Sequence, residues 1–385
     1  MRRYKFLSAF LIFWFIFLCF FHYFSFRPIW LDENFILENI KTLSISQLLG
    51  PLKNSQSFPR VYLIAIKLFS GKFDYVQGAL RFFPLVSMLL AFLVWLKVYR
   101  KQISSQAVYL LVLASLGSSY YFPYYAAELK QYSMDILVVG LFCLYFLFQK
   151  QIKPDKISKW FVFSTLSLPF TIVLSQASFF VFWIVIYNFL FIAKKNYKIW
   201  LLLGVYSLIS ILALRFVFIS DIKHTLSSQS LLSYWKGYFV CTDSFYCFMK
   251  SFSEGLRKLS VWWFGKTDFL KRAASFVIPF FTFSIFGYGV SSLKKNKLKL
   301  FDLDSLGLVI FLELLVLGIM KKYPFSGERI TLFFAPFAFY FITKGVISLK
   351  RIKFLYWPFL ISYIGLLIVC AADSFLTYLK MYSPS

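Results

Sequence analysis

Long apolar runs, broken by short basic clusters, extend over almost the whole chain. They predict helices near residues 7–24, 77–97, 105–124, 132–149, 158–175, 177–193, 199–219, 272–293, 304–320, 330–347 and 354–372. The runs are continuous, not alternating, so they read as membrane-crossing helices of about 20 residues and not as barrel strands. Such helices satisfy their own backbone hydrogen bonds, which lipid cannot do for them.

The basic clusters orient these helices, because cytoplasmic loops collect Lys and Arg. They are Lys97, Arg100 and Lys101; Lys150, Lys153, Lys156 and Lys159; Lys194, Lys195 and Lys198; Lys294, Lys295, Lys297 and Lys299; and Lys344, Lys350, Arg351 and Lys353. With all of them inside, the N-terminus is cytoplasmic, eleven spans follow, and the C-terminus lies outside. Met1-Arg2-Arg3-Tyr4-Lys5 and the apolar run to Phe24 have the form of a signal peptide. The bulky His22, Tyr23, Phe24 and Phe26 leave no small-residue cleavage site, so an uncleaved first helix is expected.

Two segments, 25–76 and 220–271, then fall on the external side. The first contains "RVYLIAIKLF", which suits a helix lying in the membrane interface or a short span. The second is rich in Ser, Lys and aromatic residues. Neither is large or polar enough for a soluble domain, so residues 1–385 read as one integral membrane domain.

Composition agrees. The chain is 60% hydrophobic and only 15% charged, with a mean hydropathy of +0.71, against about 25% charged residues in soluble domains. The net charge of +26 raises nucleic acid as a partner. No phosphate loop or nucleic-acid module accompanies it, so anionic lipid headgroups and cytoplasmic loops account for the charge. Cys19, Cys143 and Cys370 sit in apolar runs and read as small core residues. Cys241 and Cys247, six apart in the second external segment, would be free to form a disulfide in an oxidising compartment, or to remain thiols.

Charged residues at the outer boundary are few enough to weigh singly. "RPIWLDENF" (27–35) places Asp32 and Glu33 side by side between apolar residues. They are either solvated loop acids or carboxylates held at the lipid edge, where mutual repulsion and lost water make a better proton acceptor. "YYAAELKQYSMDILVV" (124–139) puts Glu128 and Lys130 in a tight external turn, with Asp135 one helical turn deeper. An acid inside a span is a functional-site candidate, although an ion pair with Lys130 or a helix N-terminal charge explains Asp135 equally well. "KKYPFSGERITLFFAP" (321–336) gathers Lys321, Lys322 and Arg329. Arginine's planar fork suits a phosphate, and interfacial snorkelling is the plain alternative. Glu313 lies in mid-run without a role. Three charged turns on one face suggest a site where carboxylates activate a hydroxyl and cations hold a lipid-linked phosphate.

At these residues the chain resembles the membrane glycosyltransferases of the GT-C fold, and most nearly the bacterial relatives of the protein O-mannosyltransferases and the aminoarabinose lipid A transferases (glycosyltransferase family 39-like). "IWLDENF" is similar to that group's W-x-D-E signature. "SFPRVYLIAIKLFSGKFDYVQGALRFFP" resembles its P-P-L-Y…A-L-R-x-P stretch, "AAELKQYSMDIL" its E-x-R-x-Y turn, and "YPFSGERITLFFAPF" its R-Y-x-L-x-x-x-P segment. Pro59 is followed by Arg60 where a second proline is usual, and Lys130 stands where arginine is common.

The resemblance implies an all-α bundle of the GT-C type and an inverting transfer of sugar from a polyprenyl-phosphate donor to a hydroxyl acceptor, which is a cell-envelope glycan, lipid or protein. It implies Asp32 as catalytic base and Glu33 as the residue that orients Asp32 or the acceptor. Lys130, Arg329 and Lys322 would bind the donor phosphate, Glu128 would hold substrate or a divalent cation (Mg2+ or Mn2+), and Tyr132 would line the pocket. The external face of a bacterial-type plasma (inner) membrane is the expected place. A transporter or flippase of lipid-linked sugars would need charge near the bilayer midplane, which only Glu313 supplies. An O-antigen polymerase or ligase would display several arginines in a late external loop, where 220–271 has Arg257 at its centre and otherwise mostly lysines.

Overall fold

A computed structural model describes residues 2–151, 158–193, 197–227, 233–294 and 300–382. Lys153, Lys156, Lys194, Lys195, Lys295, Lys297 and Lys299, used above for orientation, lie outside the described residues. Among those described, the regular elements are all helices. The chain begins with α1 (Arg2–Phe24). The first expected external segment then folds into α2 (Leu31–Thr42), α3 (Ile45–Leu48), a 3-10 turn (Lys53–Ser55) and α4 (Arg60–Gly71). Next come α5 (Gln77–Gln102), α6 (Gln106–Ser118), α7 (Tyr121–Ala126), α8 (Tyr132–Gln149), α9 (Lys159–Ile172), α10 (Phe182–Ala193) and α11 (Tyr197–Ser227). The second expected external segment carries α12 (Phe245–Val261) and α13 (Asp268–Ala273). The bundle closes with α14 (Ile278–Lys294), α15 (Leu303–Ile319), α16 (Ala335–Ser348) and α17 (Lys353–Tyr382).

Every predicted apolar run is therefore helical, but not every helix is a full span. Among the described residues, seven helical stretches, those containing α1, α5, α8, α11, α14, α16 and α17, are long and apolar enough to cross a membrane. The runs at 105–124, 158–175, 177–193 and 304–320 give shorter helices, so the expected count of eleven is not reproduced. Local chemistry shortens several of them. Ser119 and Tyr120 separate α6 from α7, and the Ser175–Gln176 turn follows α9; α15 keeps the predicted length, its start capped by the Asp302 carboxylate, which accepts from the Ser305 N–H at 2.8 Å. The predicted helix at 330–347 starts only at Ala335, after a 3-10 stretch from Glu328 to Phe334.

The most enclosed spans are α8 and α16, whose apolar windows are 83% buried, against 22% for α1. Large apolar side chains such as Phe13, Phe163, Phe283 and Ile368 point outward from peripheral helices, as lipid-facing residues do. At the centre α5 lies directly on α8. Trp95 donates its indole N–H to the Ile136 carbonyl at 3.1 Å, and only a glycine fits opposite it. A Cβ on Gly140 would stand 2.9 Å from Trp95 Nε1 and 3.1 Å from a Val94 methyl. Tyr99 ties the same helix to the start of α16 by donating to the Pro336 carbonyl at 2.9 Å. These contacts join α5, α8 and α16 in the interior of the bundle; Arg81, near the start of α5, reaches the loop after α1 and, through Glu33, the loop after α7.

Candidate active site

The first loop begins with a reversal at Phe26, a non-glycine residue at φ 47°, before Trp30 enters α2 in extended conformation. Asp32 and Glu33 thus fall in the first turn of α2, where free backbone N–H groups favour negative charge. The two neighbours then part. Glu33 is fully buried and Asp32 remains partly open.

Glu33 is held by a clasp. Arg81 of α5 donates from Nε to Oε1 at 3.0 Å and from a terminal nitrogen to Oε2 at 2.8 Å. The Leu129 N–H donates to Oε1 at 2.7 Å, and the Trp30 N–H reaches Oε2 at 3.4 Å. Arg81 also donates to the Arg27 carbonyl at 2.8 Å. One buried carboxylate therefore joins the start of α2, the middle of the bundle and the loop before α8. Bidentate pairing with full hydrogen bonding is the arrangement that lets a buried ion pair persist.

Asp32 faces the other way. Its Oδ2 lies 2.7 Å from Arg329 and 4.0 Å from Lys130 Nζ. Arg329 comes from the 3-10 stretch ahead of α16 and packs over the Trp30 ring at 5.3 Å. Lys130, almost wholly buried, donates to Gln56 Oε1 at 2.9 Å. Residues 32, 130 and 329, far apart in the chain, are thus brought to one point. Lys322 is not. It is exposed, and among the described residues it forms no ion pair with these carboxylates. Tyr132 is buried behind Lys130 with its ring edge-on to Tyr125 at 5.0 Å.

Glu128 and Lys130, expected in a tight turn between two helices, lie between α7 and α8 and are both buried. One Glu128 oxygen accepts from Arg27 at 3.3 Å, and the other, Oε1, is buried without a hydrogen-bond partner. Burial pushes the Glu128 carboxyl up to about 7, opposed by Arg27 and reinforced by the Glu33 charge. Burial likewise pulls the Lys130 ammonium down to about 8, with Asp32 and Glu128 resisting. With all groups ionised, the cations Arg27, Arg81, Lys130 and Arg329 exceed the carboxylates Asp32, Glu33 and Glu128 by one. Asp135 lies apart from this cluster. It caps the 3-10 helix Ala177–Phe180, accepting from Ser175 Oγ at 2.6 Å and from the Gln176 N–H at 3.0 Å.

The donor set around Glu128 does not suit a divalent cation. Glu33 is saturated by Arg81, Asp32 is paired with Arg329, and only one Glu128 oxygen is left. Mg2+ takes near-octahedral oxygen coordination, and a neighbouring guanidinium opposes it. Among the described residues, the one group of three close metal-type ligands is Cys241, Asp243 and Cys247. Those two cysteines are joined in a disulfide, so they offer no thiolate.

The sequence pattern alone does not single out Arg27 and Arg81 as site residues. Arg81 carried a usable signal, being an arginine inside the apolar run 77–97, where a charge without a buried partner is costly. Arg27 stands just past the first apolar run, where a cation carries no special signal. It is instead almost fully buried, stacked 4.1 Å over Tyr124 and hydrogen-bonded to its hydroxyl at 2.6 Å.

This chain is a multi-pass helical membrane protein with the GT-C fold. The oligosaccharyltransferase of Archaeoglobus fulgidus, solved with zinc and sulfate, matches 96% of the chain at a TM-score of 0.56 and 13% identity. ArnT from Cupriavidus metallidurans matches 97% at 10% identity, with TM-scores of 0.52 in the apo state and 0.50 bound to undecaprenyl phosphate. The chain covers 53% of that oligosaccharyltransferase and 76% of ArnT. No protein-family model and no curated protein sequence matches it.

Proposed function

We propose that the protein is an inverting glycosyltransferase that moves a sugar from a polyprenyl-phosphate donor to a hydroxyl acceptor. The observation that carries this reading is the Asp32–Arg329 pair at 2.7 Å, with Lys130 beside it. A partly open carboxylate faces cations that exceed the acids, at the end of a bundle built for lipid. A transporter would instead place its charge at the bilayer midplane.

In the reaction, the donor phosphate draws Arg329 and Lys130 onto its oxygens and frees Asp32 from its partner. The acceptor hydroxyl gives its proton to an Asp32 oxygen as its own oxygen bonds to the anomeric carbon. The bond from that carbon to the phosphate oxygen breaks on the opposite face, and the electron pair leaves with the lipid phosphate. Arg329 and Lys130 stabilise the charge that grows there. The attack is direct, so configuration inverts, as it does with an inverting glycosidase base. Glu33 acts as a positioning residue, because its clasp fixes the first turn of α2 and with it Asp32. Glu128 sets the local charge by carrying a proton below about pH 7. Tyr132 forms the wall behind Lys130. Lys322, although exposed, is free to swing toward a donor phosphate at the membrane surface. The reaction is assigned to the external face of a bacterial-type plasma membrane, with the N-terminus inside, on the grounds of the basic loops and the Cys241–Cys247 disulfide.

The test is to incubate membranes with a radiolabelled polyprenyl-phosphate sugar and compare wild type with Asp32→Asn. Label transfer by wild type alone supports the enzyme. Equal transfer by both removes Asp32 from the base role, and label crossing the bilayer without transfer supports a carrier.

A further inference from the structure

Arg329 follows a tightly held loop, and the hold comes from the second expected external segment. Between the end of α15 and Arg329 the backbone twice enters the left-handed region at residues other than glycine, Lys321 at φ 55° and Glu328 at φ 50°. Such residues keep that conformation only where their surroundings impose it. Here the surroundings are residues 238–255. The Phe325 N–H donates to the Tyr238 carbonyl at 2.9 Å, and the Val240 N–H donates to the Gly318 carbonyl at 3.3 Å. The Tyr238 hydroxyl donates to Glu328 Oε1 at 3.1 Å, one residue before Arg329. The Phe325 ring stacks on Phe252 with centroids 6.0 Å apart. It presses on α12 so closely that a Cβ on Gly255 would stand 2.4 Å from it. Backbone and ring of Phe325 are therefore both fixed by the same segment, shortly before Arg329.

Residues 238–240 are in turn secured by the Cys241–Cys247 disulfide. It ties Cys241 to the first turn of α12, and the Cys241 N–H adds one hydrogen bond to Ser251 Oγ at 2.9 Å. Both cysteines are only partly buried and Asp243 between them is exposed, so a small reductant reaches the bond. Without the crosslink, residues 238–240 are held by single hydrogen bonds, each a modest net contribution. Their release frees Phe325 and Glu328, and nothing on that side then keeps Arg329 at 2.7 Å from Asp32.

We propose that this disulfide is a redox latch on the phosphate-binding arginine. Closed, as in an oxidising compartment, it positions Arg329; reduced, it lets Arg329 swing away and donor affinity falls. The role of Arg329 rests on the transferase reading, whereas the coupling of the disulfide to the loop before Arg329 stands on these contacts alone. The chemistry is a two-electron exchange. A dithiol supplies two electrons and two protons, the Cys241–Cys247 bond breaks to two thiols, and the dithiol closes to its own disulfide.

The test uses the full chain in lipid nanodiscs, with polyprenyl phosphate as probe before and after dithiothreitol, and hydrogen-exchange mass spectrometry alongside. Reduction weakens polyprenyl phosphate by about tenfold, equivalent to one charge-assisted hydrogen bond, and reoxidation restores it. Cys241→Ser/Cys247→Ser shows the weaker affinity throughout and does not respond to dithiothreitol. Reduction also speeds exchange across residues 323–330 while α8 stays protected. Gly255→Ala, which displaces the Phe325 ring and leaves both cysteines in place, weakens binding in the oxidised state. Unchanged exchange at 323–330 on reduction overturns the proposal, as does reduced protein that binds polyprenyl phosphate as tightly as oxidised protein. A response of the serine variant to dithiothreitol overturns it too, and so does a rise in α8 exchange as large as that of the loop, which would make the disulfide a support of the whole bundle. If the loop loosens on reduction while oxidised wild type neither binds polyprenyl phosphate nor transfers label, the latch stands and the transferase reading falls.

Discussion

Replacing Arg81 with leucine removes the guanidinium that clasps Glu33 from inside the bundle. Glu33 then keeps the Leu129 N–H at 2.7 Å and a distant Arg27 at 3.9 Å, but loses both bonds of its bidentate partner. Its carboxylate remains fully buried. Stranding a buried charge in this way costs about 3–5 kcal/mol, a large share of the roughly 5–15 kcal/mol that holds a domain together. Adding Glu33→Gln to the same chain removes the charge while keeping an oxygen for the Leu129 N–H. The double variant Arg81→Leu/Glu33→Gln should therefore regain about 2 kcal/mol or more over Arg81→Leu alone. Unfolding in mixed detergent and SDS micelles, followed by circular dichroism, measures all four corners of the cycle. If the single and double variants unfold at the same detergent composition, the two side chains are not coupled and the clasp is no organising element. The double variant should also transfer sugar poorly despite folding, because the first turn of α2 is no longer pinned beside Arg329.

Three further outcomes follow from the same geometry. Donor binding should weaken as pH rises through about 8, where Lys130 loses its proton, and Lys130→Arg should carry binding to higher pH because guanidinium stays charged; an unchanged alkaline limb in that variant would remove Lys130 from the phosphate site. Glu128→Gln fixes the neutral form that the native carboxyl reaches only below about pH 7, so its donor affinity should hardly change between pH 6 and pH 7, where Lys130 keeps its proton, while that of wild type falls over the same interval; an equal fall in both would remove Glu128 from the charge balance of the site. Gly140→Val forces side-chain carbons into the space of Trp95 and should destabilise the α5–α8 contact by about 1–3 kcal/mol; unaltered unfolding would show that the two helices can separate freely.

The bundle was legible in the sequence because lipid imposes a simple rule, long apolar helices with charge between them. Every apolar run proved helical, and the segment "RVYLIAIKLF" forms α4 between α1 and α5. Helix lengths were less legible. The run at 105–124 reads as one span, yet it breaks at Ser119 and Tyr120 between α6 and α7, and such a break carries little weight in a hydropathy pattern; the run at 304–320 matches α15 but is short for a span. At the site, the residues that sequence pattern picked out as Asp32, Lys130 and Arg329 do meet. Their surroundings were not readable. Glu33 takes a partner 48 positions away, and adjacency to Asp32 in sequence concealed that the two side chains point into different environments.

The central claim is a division of labour, in which Asp32 takes the proton and Arg329 holds the phosphate. Binding of polyprenyl phosphate and single-turnover label transfer, measured together on Asp32→Asn and Arg329→Ala in nanodiscs, test it most directly. The account predicts that Asp32→Asn binds the lipid phosphate at least as tightly as wild type, since Arg329 is released from its partner, while transfer falls by roughly a hundredfold or more. Arg329→Ala should lose binding and transfer together. Asp32→Asn that loses the lipid phosphate, or Arg329→Ala that binds it normally, would contradict the assignment.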